Sequence, residues 1–330
     1  MANITQYKQE ERMDKFRIYY NETIHPELLI LERQRKRLVL LMSITVLAIL
    51  ALSYLTYAAH IFALSLLIWM PAVVFGSIVA YQMQRFRDAF KPKIVDLILD
   101  FIDEGKKREE PAAIYKDMEA ARRRLRYDYK RFIPIERFQQ SGIFVEPPTY
   151  YKGEDYIEGS VGSADFEMCE LDVRKLSYVR PGEDTIFRGI FFYSNFHKIA
   201  DGTVVIIPDS KRQFLMSTIK GMTKIGGMQY PIDEPEGFDE EFLVYTNIDF
   251  PIEKLLSPEV FESILNYKLR TGKDIYVSLV HSEIYIAVSH SEDILEPNFF
   301  SSNARFQLVR EFFEDLMLII AIIEDFDLHY

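Results

Sequence analysis

Few side chains in this sequence stand where chemistry could be done, and they are widely spaced. The six histidines do not cluster. His281 falls in a predicted hairpin turn and His290 after the strand that follows. At about 3.3 Å per residue the two lie roughly 20 Å apart, too far to share a metal ion. His197 and Lys198, within Asn195-Phe196-His197-Lys198, form a candidate binding group with Asn195. Glu154 and Asp155 follow Gly153 and offer two carboxylates for acid catalysis or binding, but turn chemistry explains the same tripeptide fully. Pro208-Asp209 reads the same way. The acidic run Asp233, Glu234, Glu236, Asp239, Glu240 and Glu241 lacks the spacing of a calcium loop and reads as solvated. Cys169 is the only cysteine, which excludes an intrachain disulfide and a multi-thiolate zinc site. No GxGxxG, Walker, HExxH, GxSxG or CxxC pattern is present, and Gly226-Gly227 reads as a turn. The expectation is a protein without catalytic residues, cofactor or metal, with Asn195, His197, Lys198, Glu154 and Asp155 as binding candidates.

The elements that must position these groups begin with a membrane segment. Between Arg37 and Arg85 there is no Asp, Glu, Lys or Arg. Two apolar runs fill that interval, Leu38–Ala59 and Ile61–Met83, each near the roughly 20 residues that cross a hydrocarbon core as a helix. So short a link implies a two-helix hairpin with both outer ends on one side. Arg33, Arg35, Lys36 and Arg37 precede it, and Arg85, Arg87, Lys91 and Lys93 follow, which places both flanks in the cytoplasm. Ala72, Gly76 and Ala80 recur every four residues and form a candidate packing face toward the first helix or a neighbouring chain. Pro71 removes one backbone hydrogen bond in the second helix.

Charge narrows the partners. The chain of 330 residues has a net charge of −11. Residues 1–37 hold 8 basic and 6 acidic groups, and residues beyond 83 hold 31 basic and 44 acidic. So acidic a polar portion argues against nucleic acid, whose phosphates need a positive surface.

Around the hairpin, Phe16, Tyr19, Tyr20, Ile24, Leu28 and Leu31 mark a helix over 6–36, kinked at His25-Pro26. Pro92–Ile102 reads as an amphipathic helix ended by Gly105, and residues 111–131 as a second, Arg-rich helix. From about 140 the period falls to two. Strands are predicted at Gly142–Val145, Tyr156–Val161, Ala164–Cys169, Thr185–Tyr193, Thr203–Ile207 and Glu241–Thr246, with a hairpin of Ile275–Val280 and Ile284–Ser289. Ser257-Pro258 opens a helix to about Leu269. A last helix over 304–326 carries eight consecutive apolar residues, Leu316–Ile323, and must be buried. The expected fold is α+β: a pre-membrane helix (1–37), a two-helix transmembrane hairpin (38–83), juxtamembrane helices (84–134), and a cytoplasmic domain (135–330) with a curved antiparallel sheet and a buried C-terminal helix.

An ordered series of segments, IERFQQSGIF, YKGEDYIEGSVG, TIFRGIFFYSNFHK, GTVVIIPD, FDEEFLVYT, TGKDIYVSLV and FFEDLMLIIAIIEDFDL, resembles a bacterial membrane-protein family known as domain-of-unknown-function family 3137. FRIYYNETIHPELLILERQRKR resembles its pre-membrane helix. The chain departs from the family at Asn195-Phe196-His197-Lys198, where members show DFNK, and at Phe250-Pro251-Ile252-Glu253, where they show an EARY-like stretch. The resemblance implies a bacterial inner-membrane location. Because relatives are encoded beside LemA-family membrane proteins, it also implies a LemA-family protein as a candidate partner, next to the lipid bilayer and a homo-oligomer. Two functions fit: a membrane-tethered interaction or scaffold module, and a sensor that binds a small molecule or lipid headgroup.

Overall fold

A computed structural model describes residues 2–58, 62–109, 125–161, 164–177, 180–195, 202–249, 251–291 and 294–328. In chain order the helices and strands are α1 (Ala2–Tyr19), α2 (His25–Ala58), α3 (Phe62–Glu109), β1 (Arg126–Asp128), α4 (Ile135–Gln140), β2 (Tyr150–Val161), β3 (Ala164–Leu176), β4 (Glu183–Asn195), β5 (Thr203–Pro208), α5 (Met216–Lys224), β6 (Met228–Gln229), α6 (Phe238–Glu241), β7 (Phe242–Thr246), α7 (Pro258–Thr271), β8 (Ile275–Val280), β9 (Glu283–Ser289) and α8 (Phe306–Leu328). They divide into two compact units. One comprises residues 12–101 and 295–310; the other comprises 1–11, 102–294 and 311–330.

The first unit is helical. Phe16, Tyr20, Ile24, Leu28 and Leu31 are buried, as their helical spacing requires. Between α1 and α2 the backbone widens into one π-helical turn, Tyr20–Ile24. Pro26 lacks an N–H, and its ring crowds the carbonyl four residues earlier. The expected kink at His25-Pro26 is absorbed by that wider turn, a recurrent way for a helix to accommodate an insertion or a proline. The helix over Glu11–Ala58 is long and apolar enough to cross a membrane, and the apolar window within it is not buried by the rest of the chain. Leu40, Ile44, Leu47, Leu50 and Leu55 are all exposed. α3 runs back antiparallel to this helix: Phe101 meets Phe16 edge-on with ring centroids 5.2 Å apart, and Lys93 pairs with Glu27. Pro71 and Pro92 both lie inside α3. The separate helix expected from Pro92 is thus the second half of one long helix, which continues past Gly105 to Glu109. Ile94, Val95, Ile98 and Leu99 are buried along it.

The second unit is built on a nine-stranded antiparallel sheet in the order β1-β2-β3-β4-β9-β8-β5-β7-β6. Its central strands are buried on both faces, so they read as apolar runs rather than alternations. On one face Cys169 pairs with Phe191, Phe191 with Ala287, and Ala287 with Tyr276. Ile133, Phe138, Ile143 and Phe144 cover this face with Leu215 and Met222. Phe138 stacks on Phe144 at 5.1 Å. On the other face Phe238 of α6 stacks on Phe242 at 4.9 Å and meets Phe261 of α7 edge-on at 5.1 Å. In α8, Phe313, Leu316, Ile319, Ile320 and Ile323 are buried, in agreement with the eight-residue apolar run.

Two expectations about local structure change. Gly142–Val145 is not a strand. Gly142 turns the chain at φ +66°, and Ile143 and Phe144 are apolar because they cover the sheet, not because they belong to it. Of the Arg-rich segment read as a helix over 111–131, residues 111–124 lie outside the described residues, and Arg126–Asp128 is the edge strand β1.

Candidate functional site

Gly153, Glu154 and Asp155 lie inside β2, not in a turn. Gly153 is there for space: a Cβ on it would sit 2.5 Å from the Cβ of Phe132 and 2.7 Å from Leu171 Cδ2. After Glu154 the strand bulges. Glu154 pairs with Glu170 and Ile157 with Met168, so Asp155 and Tyr156 together oppose Cys169. Asp155 takes the left-handed backbone conformation, φ +59°, which a bulge of this kind needs and which Asp tolerates better than most residues. The result is a cluster invisible in the linear order: carboxylate oxygens of Glu154, Asp155 and Glu170 lie within 4.8 Å of one another. Three such oxygens could ligate a hard cation. They also have structural work. Tyr127 Oη donates to Asp155 Oδ1, and the Ile294 amide donates to Glu170 at 3.2 and 3.3 Å. An acidic cluster by itself does not assign a metal.

A second polar cluster ties α8 to α7 and to the ends of β8 and β9. Asp315 is fully buried. Lys273 Nζ donates to its two carboxylate oxygens at 2.9 and 3.0 Å, and His290 Nε2 lies 2.9 Å from Oδ2. Tyr267 Oη donates to Oδ1. Burial, then the Asp315 charge, pushes the Tyr267 hydroxyl far above its usual pKa, so it stays a donor. One turn away, Arg270 Nη1 lies 3.2 Å from Glu314 Oε1. A buried carboxylate with this many donors is a well-satisfied anion, and its donors leave little of it open to a ligand.

A third group gathers at the other end of β9. Glu283 accepts from Tyr193 Oη at 3.0 Å and from Arg137 Nη1 at 3.4 Å. The Arg137 guanidinium sits 3.7 Å over the Tyr193 ring. Burial first, and Glu283 second, push the Tyr193 hydroxyl up to about 12.

The remaining expectations are placed as follows. Asn195 is the last residue of β4, exposed, and pairs with Asp165 and Glu283. His197 and Lys198 lie outside the described residues. Ala72 and Gly76 are half-buried and Ala80 is exposed. Among the described residues a Cβ at Gly76 would meet nothing within 4 Å, while Val79 is buried nearby. Cys169 is buried, burial pushes its thiol well up, and its sulfur accepts from the Ile133 amide at 3.3 Å; it is a core residue. Sequence reasoning missed Glu170, Lys273 and Asp315, and it set aside His290 for want of a histidine partner. The available signal was a carboxylate inside an apolar run: Glu170 among Met168, Cys169 and Leu171, and Asp315 between Phe313 and Leu316.

The fold and its clusters define an α+β protein that carries one long apolar helix near the N-terminus. Residues 185–328 match the model of a family described as "Protein of unknown function (DUF3137)", and that segment belongs to this domain family. The match runs from β4 through α8, so it contains the Asp315 cluster and excludes the bulge carboxylates. No curated protein matches the chain. Among solved structures the chain is similar to the crystal structure of the mycobacterial trehalose monomycolate transport factor A. The identity is 11% and the TM-score 0.30, over 59% of this chain and 88% of that one. At that TM-score the likeness supports no statement about fold or ligand.

Proposed function

We propose that the chain is a membrane-anchored protein that crosses the bilayer twice, keeps both termini on the cytoplasmic side, and carries its α+β unit as a non-catalytic protein-interaction module. The observation that carries the anchor is the charge-free interval after Arg37, helical and exposed along α2, bounded by basic residues at both ends. Unsheathed Leu and Ile over some 20 residues fit a bilayer and not water. The antiparallel run of α3 past α2 favours a second crossing by residues 62–83.

The interaction reading rests on how charge and apolar surface are used in the other unit. The buried carboxylates of Asp155, Glu170 and Asp315 take up Tyr, Lys, His and backbone donors. Several of its exposed apolar side chains, Phe214, Met216, Ile225 (54% exposed) and Met228 (75% exposed), lie in or beside α5 and lead into the sheet-edge strand β6. Methionine and aliphatic side chains of this sort adapt to a partner surface. A second copy of the chain and a LemA-family membrane protein are the candidate partners. The test is purification of the full chain in mild detergent, as wild type and as Ile225→Asp with Met228→Asp. The reading expects a stoichiometric protein partner or self-association that the double variant loses at unchanged melting temperature. A chain that purifies alone while retaining a small molecule or lipid would replace this reading with that of a sensor.

A further inference from the structure

The segment 295–310 comes from far along the sequence yet belongs to the helical unit. Its loop is firmly built. Asn298 Oδ1 accepts from the amides of Phe300 and Ser301 at 2.8 and 3.0 Å. Asn303 returns the chain on itself, Oδ1 accepting from the Asn298 amide at 2.8 Å and Nδ2 donating to the Asn298 carbonyl at 3.0 Å. The loop is then clasped by both long helices. Arg35 Nη1 donates to the Phe299 carbonyl, and the Asn303 amide donates to Glu32 at 3.3 Å. The Phe299 ring lies 5.7 Å from that of Phe86, with the Arg87 guanidinium 6.0 Å above it.

Those clasping residues fix the height of the loop. Arg35 is three residues before the charge-free interval and Arg87 three after it. At 1.5 Å per residue both lie within about 6 Å, along the helix axes, of the points where the apolar runs begin and end. At this level the structure presents Phe300 with 83% of its surface exposed, on a loop too well hydrogen-bonded to fold the ring away. Arg33, Lys36, Arg37 and Arg85 are exposed at the same level. An exposed aromatic ring at the height of several exposed cations has a matching solvent in one place, the headgroup layer of an anionic leaflet.

We propose that the loop 298–302 is a membrane-interface anchor: Phe300 inserts at the boundary of headgroups and acyl chains, and Arg33, Lys36, Arg37 and Arg85 hold the surrounding lipid phosphates. This rests on the reading of residues 38–58 as a bilayer crossing. Its consequence is that the C-terminal half of the chain touches lipid directly, through a segment that contributes to no crossing.

Trp69 is the only tryptophan, so the test can be optical. The full chain is reconstituted into phosphatidylcholine–phosphatidylglycerol vesicles as wild type, reporting Trp69, and as Trp69→Phe with Phe300→Trp, reporting position 300. Each is quenched with acyl-brominated lipid and with aqueous iodide. The proposal expects bromolipid to quench both tryptophans, and iodide to quench Trp69 little and position 300 less than it quenches free tryptophan. Position 300 open to iodide and untouched by bromolipid, with Trp69 quenched by bromolipid, overturns the proposal and leaves the anchor standing. Shielding from both quenchers means that protein covers the ring, and it also overturns the proposal. If Trp69 too escapes bromolipid, the bilayer crossing fails and takes this inference with it.

Discussion

His290 Nε2 lies 2.9 Å from Oδ2 of Asp315, a carboxylate with no exposed side-chain surface. With Lys273 and Tyr267 it completes a set of donors that fixes one turn of α8 against α7 and the ends of β8 and β9. Removing the acid alone strands a half-buried ammonium and a buried hydroxyl. Asp315→Ala is expected to cost about 3–5 kcal/mol, the range for breaking one partner out of a buried pair. Melting temperature should fall on the order of 10 °C. Asp315→Leu with Lys273→Met removes both charges and should recover much of the loss. A double variant that melts as low as the single one would show that the cluster does more than balance its own charges.

Gly153→Ala tests the close approach of β2 to Phe132. The added methyl would overlap the Phe132 side chain, at 2.5 Å from its Cβ. Overpacking of this kind costs about 1–3 kcal/mol. Phe132→Ala in the same chain should relieve most of that penalty, read as recovery of the melting temperature. Failure of the second change to help would place the strain in the backbone instead.

The clasp at Glu32 predicts a pH dependence. The hydrogen bond from Arg35 holds the Glu32 carboxyl below the usual range, against the upward push of burial and with help from the Asn303 amide. A carboxyl whose pKa is lower folded than unfolded adds stability that is fully present above the unfolded value, about 4.3, and lost as pH falls through the folded one. The melting temperature of wild type should therefore exceed that of Glu32→Gln at neutral pH, and the gap should close in acid. A gap that does not change with pH would contradict this.

Periodicity made the long elements legible. β8 and β9 were readable because Ile275, Val277 and Leu279 alternate along one strand and Ile284, Ile286 and Val288 along the other, and a two-residue turn at His281 and Ser282 joins them. α7 was readable because Ser257-Pro258 opens it and Gly272 closes it in the left-handed conformation. What stayed hidden depends on register. Glu154 and Glu170 face each other only because β2 pairs with β3 in one particular alignment, and no local pattern states an alignment between strands. Asp315 looked like an interruption of an apolar helix; its partners, Tyr267, Lys273 and His290, are 48, 42 and 25 positions away. Gly153 looked like a turn residue because glycine serves close approach and turns alike.

The segment 295–310 packs on aromatic residues that precede position 91. Phe306 packs against Phe16 and Tyr20, at 6.3 and 4.9 Å, and Phe299 against Phe86. A chain begun at residue 91 loses all three partners. It should aggregate or melt well below the full chain in the same detergent. A truncated chain that melts as cooperatively and as high as the full one would show that these contacts contribute little.

The central claim is that the apolar helices cross a bilayer and return. The most direct measurement is labelling of single cysteines in intact cells by a membrane-impermeant maleimide, in a Cys169→Ser chain. His60→Cys lies between the two apolar runs, and Glu236→Cys lies on an exposed loop of the α+β unit. The account predicts that position 60 is labelled in intact cells and position 236 only after the membrane is opened. Labelling of position 236 in intact cells, or of position 60 only after permeabilisation, would contradict it.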